Sequence, residues 1–226
     1  MNKPELFRIV KVLCAGFLPL VMLLSVSGCA PGLKLEPKAA PVVPAVAVGP
    51  RVESLEDGRK GFILSESVSL DEEMRRDFDQ AVMHLNAQEY EQAITFLQLL
   101  VEMSPEVSAL RIDLAIAYRK TGKQDLAEEQ LKYALKLFPG HPVASNEYGL
   151  LLRKAGSFVD ARNIYEQALT DFPDYLPVRR NLGILCDLYM NDPECALAQF
   201  EQYSADDPGD EQVSLWISEL RLRTAP

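Results

Sequence analysis

From about residue 70 to the C-terminus, apolar side chains recur three or four positions apart in paired runs, and short polar turns separate the runs. Phe78, Ala81, Val82 and Leu85 form one run; Ala93 and Leu97 belong to the next. The pair then repeats. Pro105, Pro139 and Pro173 each close a second run at a spacing of 34, and Pro208 follows at 35. Proline ends a helix because it lacks the N–H that the ladder needs and its ring clashes with the preceding turn. The pattern predicts an all-α chain of four helical hairpins, about 74–107, 108–141, 142–175 and 176–210. A cap helix is expected at 211–223, where Val213, Leu215, Trp216 and Leu220 share a helical period. Ser69 and Glu72 have the Ser-x-x-Glu spacing of a capping box and are expected to start the first helix.

Residue size recurs in step with the prolines. Ala81, Ala115, Gly149 and Gly183 stand near the middle of each first helix, and Ala93, Ala127, Ala161 and Ala196 in each second helix. Four residues after the latter come Leu97, Leu131, Tyr165 and Phe200. Small residues let two helices approach closely and the large ones fill the gap, so each hairpin is left with an apolar face that only its neighbour covers. Leu114-Ala115, Tyr118, Gly122, Ala127, Leu131, Ala134 and Pro139 resemble the tetratricopeptide repeat, as do Tyr148-Gly149, Leu152, Gly156, Ala161, Tyr165, Ala168 and Pro173. The outer units match less well, as terminal units that cap a stack do.

The resemblance implies a solenoid over 69–226 whose first helices line a concave groove. The positions that would face it are Phe78, Val82 and Leu85, then Ile112, Ile116, Arg119 and Lys120. They continue as Asn146, Leu150, Arg153 and Lys154, and end with Arg180, Ile184 and Asp187. Val82, Ile116, Leu150 and Ile184 recur at a spacing of 34, and the basic pairs Arg119-Lys120 and Arg153-Lys154 border them. An apolar strip with charged edges suits a peptide or helix laid in the groove. The other reading of the same residues is an inter-repeat core with solvated helix ends. The set departs from the Lys/Asn/Arg clamp with which chaperone-binding members hold a C-terminal carboxylate, so that recognition is not expected.

Ahead of the repeats the composition changes. Lys3, Arg8 and Lys11 precede an apolar stretch, Val12 to Leu24, which is interrupted by Pro19 and too short to cross a hydrocarbon core of about 30 Å. This reads as a signal peptide over 1–28. It ends in Val26-Ser27-Gly28-Cys29, which resembles the bacterial lipobox. The resemblance implies that Cys29 is lipidated and becomes the first residue of the mature chain. Two or three acyl chains, at about 0.8 kcal/mol per buried CH₂, would hold the protein on a membrane. Ala30 follows where an aspartate favours inner-membrane retention in enterobacterial lipoproteins, so the expected site is the outer membrane, facing the periplasm. The rest of 29–68 is a linker. Pro31, Pro37, Pro41, Pro44 and Pro50 favour an extended tether, with a reach from Ala30 to Val68 of at most roughly 130 Å. Gly61-Phe62-Ile63-Leu64 is a short apolar cluster able to dock on the first repeat or on a partner; the alternative is a sticky end of the linker.

The formal charge of the 226-residue chain is −10. Residues 1–28 carry three basic side chains and one acidic, so the remainder stands near −12 and repels phosphate backbones; nucleic acid is not an expected partner. The only histidines, His84 and His141, lie in different repeats, and no spacing of metal ligands, phosphate loop or nucleophile motif is present. No catalytic residue, metal, cofactor or small-molecule substrate is expected, and His84 reads as a packed core side chain. Trp216 reads as a plug over the last repeat, with exposed recognition as the alternative. Cys186 and Cys195 lie symmetrically about the turn at Met190-Asn191, so in an oxidising compartment they would form a disulfide or stay as two buried thiols. The expected function is a membrane-anchored scaffold or assembly factor that binds envelope proteins. Signal, lipobox, tether and repeats in that order resemble the pilotin-like factors of type IV pilus secretins. Asn181 to Tyr189 resembles accessories of TonB-ExbB-ExbD-type energy transduction, and an adaptor for cell-wall enzymes is a further alternative.

Overall fold

A computed structural model describes residues 9–10, 50–54, 62–66 and 70–225. The signal peptide apart from Ile9-Val10, the lipobox with Cys29, and the tether up to Gly49 lie outside the described residues. The helical part is four antiparallel hairpins: α1 (Glu72–Asn86) with α2 (Tyr90–Met103), and α3 (Ser108–Lys120) with α4 (Gln124–Leu137). Next come α5 (Pro142–Lys154) with α6 (Phe158–Asp171), and α7 (Leu176–Leu188) with α8 (Pro193–Asp206). The last helix, α9 (Glu211–Thr224), packs on α8 and closes the stack. Each second helix packs on the first helix of the next hairpin, and the first helices α1, α3, α5 and α7 also touch in succession along one side. Among the described residues no helix is long and apolar enough to cross a membrane.

The packing follows a rule of constant combined size. In repeat register Ala81 goes with Leu97 and Ala115 with Leu131, and all four are buried. Where the first helix has glycine instead, the second has an aromatic ring. A Cβ at Gly149 would fall inside the Tyr165 ring, and one at Gly183 would lie 2.5 Å from Phe200 Cε1. Interiors at crystal-like density admit no such overlap, so methyl and ring exchange volume across the interface.

The turn inside each hairpin also repeats, because one residue in it adopts the left-handed conformation: Gln88, Gly122, Gly156 and Asn191, at φ of 61°, 82°, 82° and 51°. Glycine enters that region without a Cβ clash, and asparagine tolerates it better than most residues. In the fourth hairpin the extra residue that makes the last proline spacing 35 lies before Asn191. Here Cys186, at the end of α7, is bonded to Cys195 at the start of α8, with Cα atoms 5.9 Å apart. Closing so short a loop contributes about 2–3 kcal/mol in the chain-entropy model.

Three details differ from expectation. The N-cap of α1 is Asp71 and not Ser69: its carboxylate accepts from the N–H groups of Glu73 and Met74, and an ionised acceptor at that place also suits the helix dipole. His84 is not a core residue. Its Nδ1 lies 2.6 Å from Glu89 and its ring stacks on Phe96, at the half-open end of the hairpin. Finally, the chain before α1 is not all extended tether. Strands β1 (Ile9–Val10), β2 (Arg51–Ser54) and β3 (Phe62–Ser65) make a small sheet of order β1-β3-β2, with β2 antiparallel and β1 parallel to β3. Leu64 of β3 is fully buried in the helical core. Of the apolar cluster, Leu64 thus docks on the solenoid of its own chain.

Candidate partner-binding groove

The expected groove residues divide by depth. Phe78, Leu85 and Ile112 belong to the hydrophobic core, and Asn146 is buried, so these positions pack the repeats together. Val82, Ile116, Leu150 and Ile184 are half-buried; Val82, Ile116 and Ile184 lean on the core with part of their surface open, and Leu150 lines a pocket beside Arg119 and Arg153. The strip at 34-residue spacing is therefore the accessible floor, and the deeper residues hold it in place.

Polar side chains run across the floor from repeat to repeat. Asn181 on α7 donates to Asn146 on α5 at 2.8 Å. Asn146 donates to Glu147 Oε1 at 3.4 Å, and Glu147 Oε2 accepts from Arg119 Nε on α3 at 2.9 Å. Arg119 and Glu147 are mostly buried, and their two-point contact is stronger than a solvent-exposed ion pair. Beyond Arg119 the surface dips into a pocket of about 340 Å³ lined by Leu150, Arg153, Lys154 and Tyr189. Arg153 lies over the Tyr189 ring with its guanidinium carbon 5.4 Å from the centroid. Arg180 lies over Trp216 in the same way, at 4.9 Å, and that ring also meets Phe200, at 5.1 Å. Trp216 is half-buried, closing the end of the stack with one side on the core and one under a cation. Lys154 is exposed; Lys120 is half-buried.

A second polar centre was not legible as a site. Glu66, just after β3, is 8% exposed, and its Oε2 accepts from the N–H of Ala109 at 3.4 Å in the first turn of α3. Its Oε1 lies 3.2 Å from Nε2 of the fully buried His141. Nδ1 of that ring accepts from the Ala144 N–H and so caps α5, which places the ring proton on Nε2, aimed at Glu66. Val107, at the N-cap of α3, has no polar side chain to offer, and Glu66 supplies the acceptor from 43 residues away. Burial pushes the Glu66 carboxyl up, but hydrogen bonding and attraction from His141, with Ser108 and Ala109 adding, outweigh it and hold the group below its ordinary value.

Among the described residues one cluster has the proximity of metal ligands, Cys186, Asp192 and Cys195. Its sulfurs are bonded to each other, and Asp192 caps α8 through the Cys195 N–H and pairs with Arg162 at 3.0 Å.

Two family models described as tetratricopeptide repeat match residues 112–175 and 152–220. The helical part of this chain has the fold of a tetratricopeptide-repeat solenoid. Its fold is shared with pilF of Pseudomonas aeruginosa, at 24% identity over 68% of this chain and 69% of that one, TM-score 0.62. MamA of Desulfovibrio magneticus RS-1 is similar at 18% identity over 69% and 87%, TM-score 0.59. A thermophilic TPR protein of Thermus thermophilus is similar at 22% identity over 67% and 82%, TM-score 0.57. Tetratricopeptide-repeat proteins are in general non-catalytic scaffolds that bind other proteins.

Proposed function

We propose that this chain is a lipid-anchored, non-catalytic scaffold that holds an extended or helical segment of an envelope protein in the groove of its first helices, as an assembly factor of type IV pilus or secretin-like machinery. The observation that carries the groove is the half-open strip Val82, Ile116, Leu150 and Ile184, one residue per repeat, beside cationic side chains on a chain of charge −10. An apolar floor supplies affinity through burial and the charged margin supplies orientation. The order of signal segment, lipobox, tether and repeats supports the pilus reading, as does the shared fold with pilF. Cys29 carries the anchor and the outer membrane is its place in this reading.

Cys29→Ser tests the anchor. The variant is expected to leave the membrane fraction for the soluble periplasmic fraction, with its helical circular dichroism unchanged. A variant that stays in the membrane fraction in wild-type proportion sinks the lipid anchor.

A further inference from the structure

Taken in repeat register, the inner face holds a series of facing pairs. Positions 85, 119, 153 and 187 are Leu85, Arg119, Arg153 and Asp187, and positions 113, 147 and 181 in the following repeats are Asp113, Glu147 and Asn181. Arg119 is paired with Glu147 of the next repeat at 2.8 Å. Asp187, at the far end, is paired with Arg223 of α9 at 2.7 Å. Arg153 is the odd member. The position that answers it is an amide, Asn181, which is turned to Asn146 at 2.8 Å. Arg153 Nη1 is buried with no hydrogen-bond partner among the described residues. The phenolic oxygen of Tyr165, close enough to Arg153, Glu147 and Arg119 to feel their charges, is likewise buried without one. A native interior leaves few such groups, because each costs about 1–3 kcal/mol. Arg153 also lines the pocket, with Arg119, Leu150 and Lys154, and its guanidinium lies over the Tyr189 ring.

We infer that the Arg153 pocket receives a side-chain carboxylate from an Asp or Glu within the partner segment, which takes the place that Glu147 takes for Arg119. This rests on the groove reading above and adds to it the chemistry of the partner. The guanidinium is a planar fork that holds a carboxylate at two points, and Tyr189 fixes its plane. Lys154, exposed at the rim, adds a second positive charge. Leu150 gives the neighbouring residue of the partner an apolar seat, so the segment recognised has an acidic residue beside an apolar one. The net charge of −10 disfavours such a segment over much of the surface and favours it beside these cations.

The test uses the purified full chain and three pools of twelve-residue peptides with randomised apolar and neutral polar residues, all N-acetylated. One pool has Glu fixed at the centre and an amidated C-terminus, the second has Gln in its place, and the third has the Gln with a free C-terminal carboxylate. The chain is expected to retain the Glu pool about tenfold or more over the amidated Gln pool, the worth of one buried charge-assisted contact. Arg153→Gln should erase that preference. Asn181→Glu should erase it as well, by supplying Arg153 with an acid from its own chain, and both variants are checked for wild-type helical circular dichroism. Equal retention of all three pools overturns the carboxylate site and leaves the groove standing. Preference for the free C-terminus alone, or a Glu preference that survives Arg153→Gln, also overturns it. Retention of no pool contradicts the groove reading itself.

Discussion

Replacing Gly149 with alanine is expected to lower the stability of the solenoid by about 2–3 kcal/mol, although alanine is the better helix former by about 1 kcal/mol. The added methyl would enter the space of the Tyr165 ring, which is fully buried. In a domain of this size that loss corresponds to a fall in melting temperature of roughly 5–10 °C. The second half of the prediction is compensation. Gly149→Ala with Tyr165→Leu turns the third hairpin into the Ala115 and Leu131 pairing of the second, and the double variant should be more stable than Gly149→Ala alone. Thermal unfolding of the two single variants and the double variant measures the coupling. Additive losses would mean that the two residues do not share a volume, and the packing rule for the stack would fail.

The second large effect is expected at Glu66. Its carboxylate caps α3 and meets His141 at the cap of α5, so one side chain ties β3 to two successive repeats. Glu66→Gln removes the charge and leaves His141 and the Ala109 N–H with a weaker acceptor, at a cost of about 1–3 kcal/mol to the docked strand. Amide hydrogen exchange at residues 62–66 should then accelerate by about ten- to a hundredfold, while the protection of α6 and α8 is unchanged. The direction with pH follows from the depressed carboxyl. Because the folded group ionises below its ordinary value of 4.5, its contribution is fully present above that value. It is lost as pH falls through the lower folded value, so acid should loosen the strand in wild type and have much less effect on the Gln variant. Equal exchange in both proteins at neutral pH would show that β3 is held by Leu64 alone.

What was legible in the sequence is what repeats within it. Pro105, Pro139 and Pro173 mark the hairpin ends because proline acts on its own helix, and Gly122 and Gly156 mark the turns because the backbone there needs a left-handed residue. The Gly149 and Tyr165 pairing was visible as a small and a large residue in step, since both lie in one hairpin. Contacts that join distant segments were not. The Glu66 carboxylate reaches α3 across 43 residues and His141 across 75, and nothing local to either residue encodes the meeting. His84 and His141 looked alike as lone histidines, yet one is exposed enough to pair with Glu89 while the other is fully buried against Glu66. The depth of Ile112 and Leu150 also differs although their apolar character does not: the repeat position of Phe78, Ile112 and Asn146 is buried, and that of Val82, Ile116, Leu150 and Ile184 is half-open. Arg119 and Arg153 are equivalent by register, and only the pairing of the first with Glu147 shows that the second is different.

The central claim is that the half-open floor of the first helices binds a protein of the envelope. Its most direct measurement is photo-crosslinking in living cells from a probe at Leu150, beside the Arg153 pocket, compared with one at Val159, exposed on α6. The account predicts one dominant adduct from Leu150, identified by mass spectrometry as an envelope protein, and none of that product from Val159. Adducts from Val159 with none from Leu150 would contradict it and place binding on the outer helices.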